Sequence, residues 1–273
     1  MSASTPRPAH GAGSSWDTPE AVERIIGAYA TADVVAIRQA QIDLLGPIAG
    51  AAILDIGSGP GIYARDLALR GARVTALDSA PAMRAAALVE ARTAGVAIDV
   101  ADGEANALPF PDGAFDAATL VQVIEYVPDA VGALREIARV LRPGGALLVC
   151  DTDWATASWG IGDAALAERI KQAWCATKPH YDAGRRIPEW LIAAGYHVAA
   201  WEPLVLANAD AVGDTFHGHT WKTYRRLLER LGTVPTDELD RFDRLCAETT
   251  AAGSFTFTVT RHGWLARTPG GTS

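Results

Sequence analysis

Gly57-Ser58-Gly59-Pro60-Gly61 stands between the apolar run Ala52–Ile56 and a segment with helical character. Glycines let a backbone turn tightly and approach a ligand without Cβ interference. The helix that follows turns free N–H groups toward negative charge. Such a turn alone serves nicotinamide or flavin dinucleotides, or simply a tight bend. Its spacing narrows the choice. The dinucleotide pattern places a third glycine where Ile62 stands, and Gly61 comes one position too soon. Asp55, just before the turn, offers nothing to a pyrophosphate but attracts the ammonium of an amino-acid moiety. Asp78 ends the next apolar segment, Val74–Leu77. A carboxylate there can accept from both ribose hydroxyls or cap the next helix. Asp102, in Asp102-Gly103-Glu104, can accept from an adenine amino group or make an Asp-Gly turn, with Leu108 and Pro109 able to cover the base.

The elements that must position these residues alternate regularly. Strands are expected at Ala52–Ile56, Arg73–Leu77, Ala97–Val100, Phe115–Val121 and Ala146–Cys150, with helices at Ile62–Arg70, Ser79–Ala94 and Asp129–Leu141. Ser79 is the expected cap of its helix, with Pro81 in the first turn. Single helices between apolar strands imply parallel pairing with both sheet faces covered. Residues 19–28 and 33–45 form helices ahead of this core. After it come helices at 164–174 and 188–194, a strand at 197–206, a helical stretch at 209–252 and an alternating strand at 254–266. The expected domains are a disordered tail over 1–15, a helical lid over 16–46, a cofactor-binding core over 47–208, a helical cap insertion over 209–252 and a final strand returning to the core over 253–268.

Of 273 residues, 49% are hydrophobic, ample for a large core, and the formal charge of −8 disfavours broad nucleic-acid binding. A small-molecule substrate suits that balance. Cys150, Cys175 and Cys246 are scattered and odd in number, so neither a disulfide framework nor a cysteine metal site is expected, and no metal at all. No apolar run of transmembrane length or secretory signal is read, which places the protein in the cytoplasm. Monomer and homo-oligomer stay open.

LDIGSGPG, ALD and ADGEANALPFPDGAFDAATLVQVIEYVPD, followed by LREIARVLRPGG, resemble in that order the motifs of class I methyltransferases. They are most similar to the small-molecule branch that includes the ubiquinone and menaquinone biosynthesis enzymes. The resemblance implies a doubly wound, seven-stranded, mostly parallel sheet with an antiparallel last strand, N-terminal helices and a helical cap inserted before that strand. It implies S-adenosylmethionine as cofactor, with S-adenosylhomocysteine as product. It places Asp55, Gly57, Ser58, Gly59 and Gly61 at the methionine moiety, Asp78 at the ribose, and Asp102, Gly103 and Glu104 at adenine, with Ser79 and Met83 also at the cofactor. Gln122 and Val123 then line the sulfonium, and Tyr29 and Arg38 belong to a lid, with Arg38 paired to the cofactor's carboxylate. Tyr126 stands where related branches often carry histidine.

Transfer from a sulfonium is direct displacement and needs alignment in a dry pocket rather than a catalytic triad. The acceptor is expected to be an oxygen or nitrogen of a small metabolite. His180 and His217 are the candidates for handling its proton, and Tyr126, Trp154, His180, Tyr181, His217, His219 and Trp221 for lining its site. Three other readings remain at this point: a cyclase or rearrangement enzyme that retains the sulfonium, a nicotinamide-dependent oxidoreductase, and a non-enzymatic binding or assembly module.

Overall fold

The structure, a computed structural model, describes residues 16–270; the tail expected over 1–15 lies outside them. Helices α1 (Pro19–Ala30) and α2 (Ala32–Leu44) precede the alternating core. The core runs β1 (Ala52–Ile56), α3 (Ile62–Leu69), β2 (Arg73–Leu77), α4 (Pro81–Thr93), β3 (Asp99–Ala101), β4 (Phe115–Val121), α5 (Ala130–Val140) and β5 (Leu141–Gly160). It continues through α6 (Ala164–Cys175), α7 (Ala183–Ala193) and β6 (His197–Asn208). Helices α8 (Phe216–Leu231) and α9 (Thr236–Ala251) are then inserted before β7 (Thr256–Arg267).

The sheet has seven strands in the order β3-β2-β1-β4-β5-β7-β6. β1 to β5 are mutually parallel, and β7 lies antiparallel between β5 and β6. The strand order reverses between β1 and β4, and ligands of open α/β sheets bind at the carboxyl ends beside such a switch. Leu54, Ile56, Leu120, Leu147 and Val149 pack toward α5 and α7, while Ile53, Leu148 and Cys150 pack toward α2 and α3. A third cluster joins α2, α6, α8 and α9 to the far ends of β5 and β7 through Trp154, Trp159, Trp174, Tyr224 and Phe257.

Two local expectations are corrected. The fifth strand, expected at 146–150, extends from Leu141 to Gly160. Its added length pairs with β7 as far as Gly160 opposite Thr256, with an irregularity between Asp153 and Ser158. Ser79 does not cap α4. Ala80 is the N-cap residue, and the Asp78 carboxylate, two positions earlier, accepts the Ala80 N–H at 2.9 Å.

Candidate functional site

The glycine turn leaves β1 with Gly57, Gly59 and Gly61 all at positive φ. At Gly57 a Cβ would lie 2.5 Å from Val123 Cγ2, so the turn is wedged against the chain leaving β4. At Gly59 a Cβ would meet nothing within 4 Å, so that face of the turn is open. Asp78 Oδ2 accepts from Gly59 N at 2.8 Å, so one carboxylate ties the turn to the start of α4.

Asp55 is 2% exposed. Its Oδ1 accepts from the Thr119 hydroxyl at 2.6 Å, and its Oδ2 is buried without a partner. Burial pushes its carboxyl up to about 7 against the Thr119 hydrogen bond, and nearby Asp78 adds to the rise. Gln122, at the end of β4, is the one non-glycine residue at positive φ among the described residues, at 58°. Its N–H donates to Cys150 O at 2.8 Å and its Oε1 accepts from Thr152 at 2.6 Å, while Nε2 is buried and unsatisfied. Strain held by bonds on both sides marks functional positions. Ser58 Oγ is a further buried atom without a partner. Buried polar atoms normally find partners, so this row at the ends of β1 and β4 fits a polar ligand with an ammonium near Asp55.

The remaining cofactor-side residues fall as follows. Asp102 is exposed and paired at 2.9 Å with Arg84, whose same nitrogen donates to Asp78 O at 2.8 Å. Gly103 is packed under Leu77 and Pro109, and Glu104 bridges to Ala107 in the following turn. Met83, 1% exposed, sits with Ala21 and Ala80 between α1 and α4. Arg38 is held within the chain: its Nε donates to Asp66 Oδ2 at 2.7 Å and its Nη1 to Tyr29 O at 2.8 Å. A buried guanidinium needs such an internal partner, and α3 supplies it.

On the acceptor side, Tyr126 and Trp154 come together, and His180 borders them through its backbone N–H on Glu125 O at 3.3 Å. The 3₁₀ turn Ile124–Tyr126 follows β4 and places Glu125 between the ends of β4 and β5. Lys178 Nζ lies 3.2 Å from Glu125 Oε2 and donates to the Tyr126 hydroxyl at 2.7 Å. It also faces the rings of Tyr126, Trp174 and Trp154 at 4.2, 4.6 and 5.5 Å. Trp154 Nε1 donates to the same Glu125 oxygen at 2.7 Å, and Tyr224 of α8 stacks on Trp174 at 3.6 Å. Asp151, fully buried, accepts from Glu125 N and Thr152 N; burial first, then the Glu125 charge, hold its carboxyl well above the usual range.

His217 lies in the aromatic core of the inserted helices, with its Nε2 buried and without a partner. It is 2% exposed, near Phe255, Phe257 and Trp221, with Nδ1 on Ala211 O at 3.1 Å; burial lowers it to about 4, so it stays neutral. Trp221 likewise turns to α9, donating to Asp243 and packing on Phe242. His219 contacts Asp214 and lies under Gly27 of α1. His180 tilts against Trp190 of α7, and Tyr181 is exposed, offering its backbone carbonyl to Trp154 N. Sequence reasoning missed Glu125, Lys178 and Arg261 altogether as site residues.

Residues 54–149 match the sequence profile of a methyltransferase domain. The demethylmenaquinone methyltransferase of Tropheryma whipplei (strain Twist) is 39% identical over 115 residues, 42% of this chain and 47% of the relative. The ubiquinone biosynthesis O-methyltransferase of Pseudomonas aeruginosa (strain UCBPP-PA14) is 37% identical over 117 residues, 41% of this chain and 49% of the relative. The chain thus spans about half the length of the curated relatives it matches. Among solved structures, a putative methyltransferase from Bacillus halodurans superposes with a TM-score of 0.62 at 17% identity, covering 86% of this chain and 99% of that one. The 4+2 cyclase SpnF gives 0.56 at 24%, covering 87% and 82%. These two likenesses are of fold. Residues 54–149 are thus similar to the methyltransferase domains of enzymes of ubiquinone and menaquinone biosynthesis.

Proposed function

We propose that this chain transfers a methyl group from S-adenosylmethionine to an oxygen or nitrogen nucleophile of a small organic metabolite. The observation that carries this reading is the row of buried, unsatisfied polar atoms, Asp55 Oδ2, Ser58 Oγ and Gln122 Nε2, along the carboxyl ends of β1 and β4. When bound, the cofactor supplies an activated methyl group on a sulfonium. The chain's own residues then bind, orient and exclude water. Asp55 receives the ammonium, the open face at Gly59 takes the methionyl backbone, and Asp78 accepts from the ribose hydroxyls. Asp102, Gly103 and Glu104 serve the adenine end, with Ser79 alongside the ribose. Gln122 and Val123 border the reacting centre, and Tyr126 and Trp154 wall the acceptor from water. Tyr29 covers the site from α1.

Calorimetric titration with S-adenosylmethionine and S-adenosylhomocysteine tests the cofactor. Mass spectrometry of a metabolite extract incubated with protein and cofactor tests the transfer, through products one CH₂ heavier. Affinity for a nicotinamide dinucleotide with none for S-adenosylmethionine overturns the proposal. Binding of S-adenosylmethionine with no methylated product favours the cyclase reading instead. No helix among the described residues is long and apolar enough to cross a membrane.

Asp55 makes cofactor binding pH-dependent. In the free protein its carboxyl titrates at about 7, and an ammonium beside it favours the ionised form. Below that pH, binding therefore expels a proton, so affinity rises between pH 5.5 and 7 and levels off above. The calorimetric heat at pH 6 should vary with the buffer's ionisation enthalpy. Asp55→Asn should remove that variation; a wild-type affinity flat across the range contradicts it. For the free protein's stability the sign is opposite. A carboxyl raised above its unfolded value contributes stability that is lost as pH rises toward 7.

A further inference from the structure

Arg261 lies on β7 opposite Thr152 of β5 and Leu204 of β6. It shares the inward face of the strand with Phe257, Val259 and Leu265 and is 3% exposed. Its guanidinium carbon is 4.9 Å from the Phe216 ring of α8 and 5.9 Å from the Tyr29 ring of α1. Those two rings roof it from the inserted and the N-terminal helices. Its Nε is buried with no hydrogen-bond partner, and no ion pair involves it among the described residues.

A guanidinium keeps its charge in a protein and presents donors in a fixed fork, so burying one against rings alone is costly. The neighbouring charges do not balance it. Arg38 is paired with Asp66, and Glu125 with Lys178. Asp151 spends its oxygens on Glu125 N and Thr152 N, and burial favours its neutral form. The surroundings of Arg261 are one anion short.

We propose that Arg261 is an anion-recognition residue that receives a carboxylate beneath Tyr29 and Phe216, beside Thr152 in the middle of β5. Two bound molecules can carry that group, an organic-acid acceptor or the methionyl end of the cofactor; only the choice between them rests on the methyl-transfer reading.

The test compares wild type, Arg261→Met and Arg261→Lys by calorimetry. The probes are benzoate against benzamide, each with and without S-adenosylhomocysteine, and S-adenosylhomocysteine against its decarboxylated analogue. An acceptor site gives benzoate about 10-fold or more tighter binding than benzamide in wild type, a contrast lost in Arg261→Met and partly kept in Arg261→Lys. A cofactor site instead weakens S-adenosylhomocysteine about 10-fold or more in Arg261→Met and leaves the decarboxylated analogue unchanged. On either outcome the unliganded Arg261→Met protein should melt about 3 °C or more above wild type, because an unpaired buried charge has gone. A lower melting temperature, with all four probes bound alike by wild type and variant, overturns the proposal. Failure of wild type to bind S-adenosylhomocysteine tells against methyl transfer alone, since the benzoate and benzamide contrast without it still reports on Arg261.

Discussion

Exchanging Asp78 for alanine should weaken S-adenosylhomocysteine binding by about 100-fold or more, because two charge-assisted hydrogen bonds of roughly 1.5–3 kcal/mol each are lost together. The carboxylate has two tasks. Its Oδ2 takes the Gly59 N–H at 2.8 Å and its Oδ1 the Ala80 N–H at 2.9 Å, which fixes the glycine turn against α4. A carboxylate at this strand end can also accept from both ribose hydroxyls. Alanine removes the ligand contacts and also loosens the turn that presents them. Asparagine separates the two effects. It keeps one acceptor but sets an NH₂ group against a backbone N–H, so Asp78→Asn should bind more weakly than wild type and more tightly than Asp78→Ala. Calorimetry gives the affinities, and the thermal midpoint should move only a few degrees, since two hydrogen bonds to partly buried backbone contribute about 1 kcal/mol each. An Asp78→Ala protein that binds S-adenosylhomocysteine as wild type does would remove the ribose from this strand end.

What the sequence disclosed about this site was local in origin. The turn from Gly57 to Gly61, Asp55 before it and Asp78 at the end of β2 lie within a few residues of the strands that carry them, so pattern and position coincide. The length of β5 was hidden because its last third pairs with residues about a hundred positions away, Gly160 with Thr256. The Arg38–Asp66 pair was hidden for a related reason: the two residues sit on different helices, and nothing in either helix announces the pair. The setting of His217 was legible. His217, Trp221, Tyr224 and Leu228 recur at helical spacing and are all buried, which makes the histidine part of an apolar stripe. Arg261 was legible too. The alternation through Phe255, Phe257 and Val259 carries it onto the buried face of β7, where a charge calls for explanation. Glu125 and Lys178 gave no such sign, since each resembles an ordinary surface residue until the fold brings them within 3.2 Å.

Removing one member of that pair should be among the most damaging changes in the chain. Glu125 and Lys178 have side chains only 3% and 2% exposed, and the rings of Tyr126, Trp154 and Trp174 surround the ammonium. Lys178→Met leaves the Glu125 carboxylate with the Trp154 N–H but no cation. Glu125→Gln leaves the ammonium with rings and a phenol. Uncompensated buried charges cost about 3–5 kcal/mol, or roughly 6–20 °C in the melting temperature of a chain of this size. Removing both charges together should restore most of the loss, because an apolar methionine and a neutral amide leave no ion to bury. The loss should appear in the melting temperature of each single variant, because each leaves one buried charge without its counterion. A thermal-denaturation cycle of wild type, both single variants and the double variant measures the coupling directly. Strictly additive losses would show that the acceptor-side wall stands without this ion pair. Strong coupling would make the pair the element that holds Tyr126 and Trp154 in place at the end of β5.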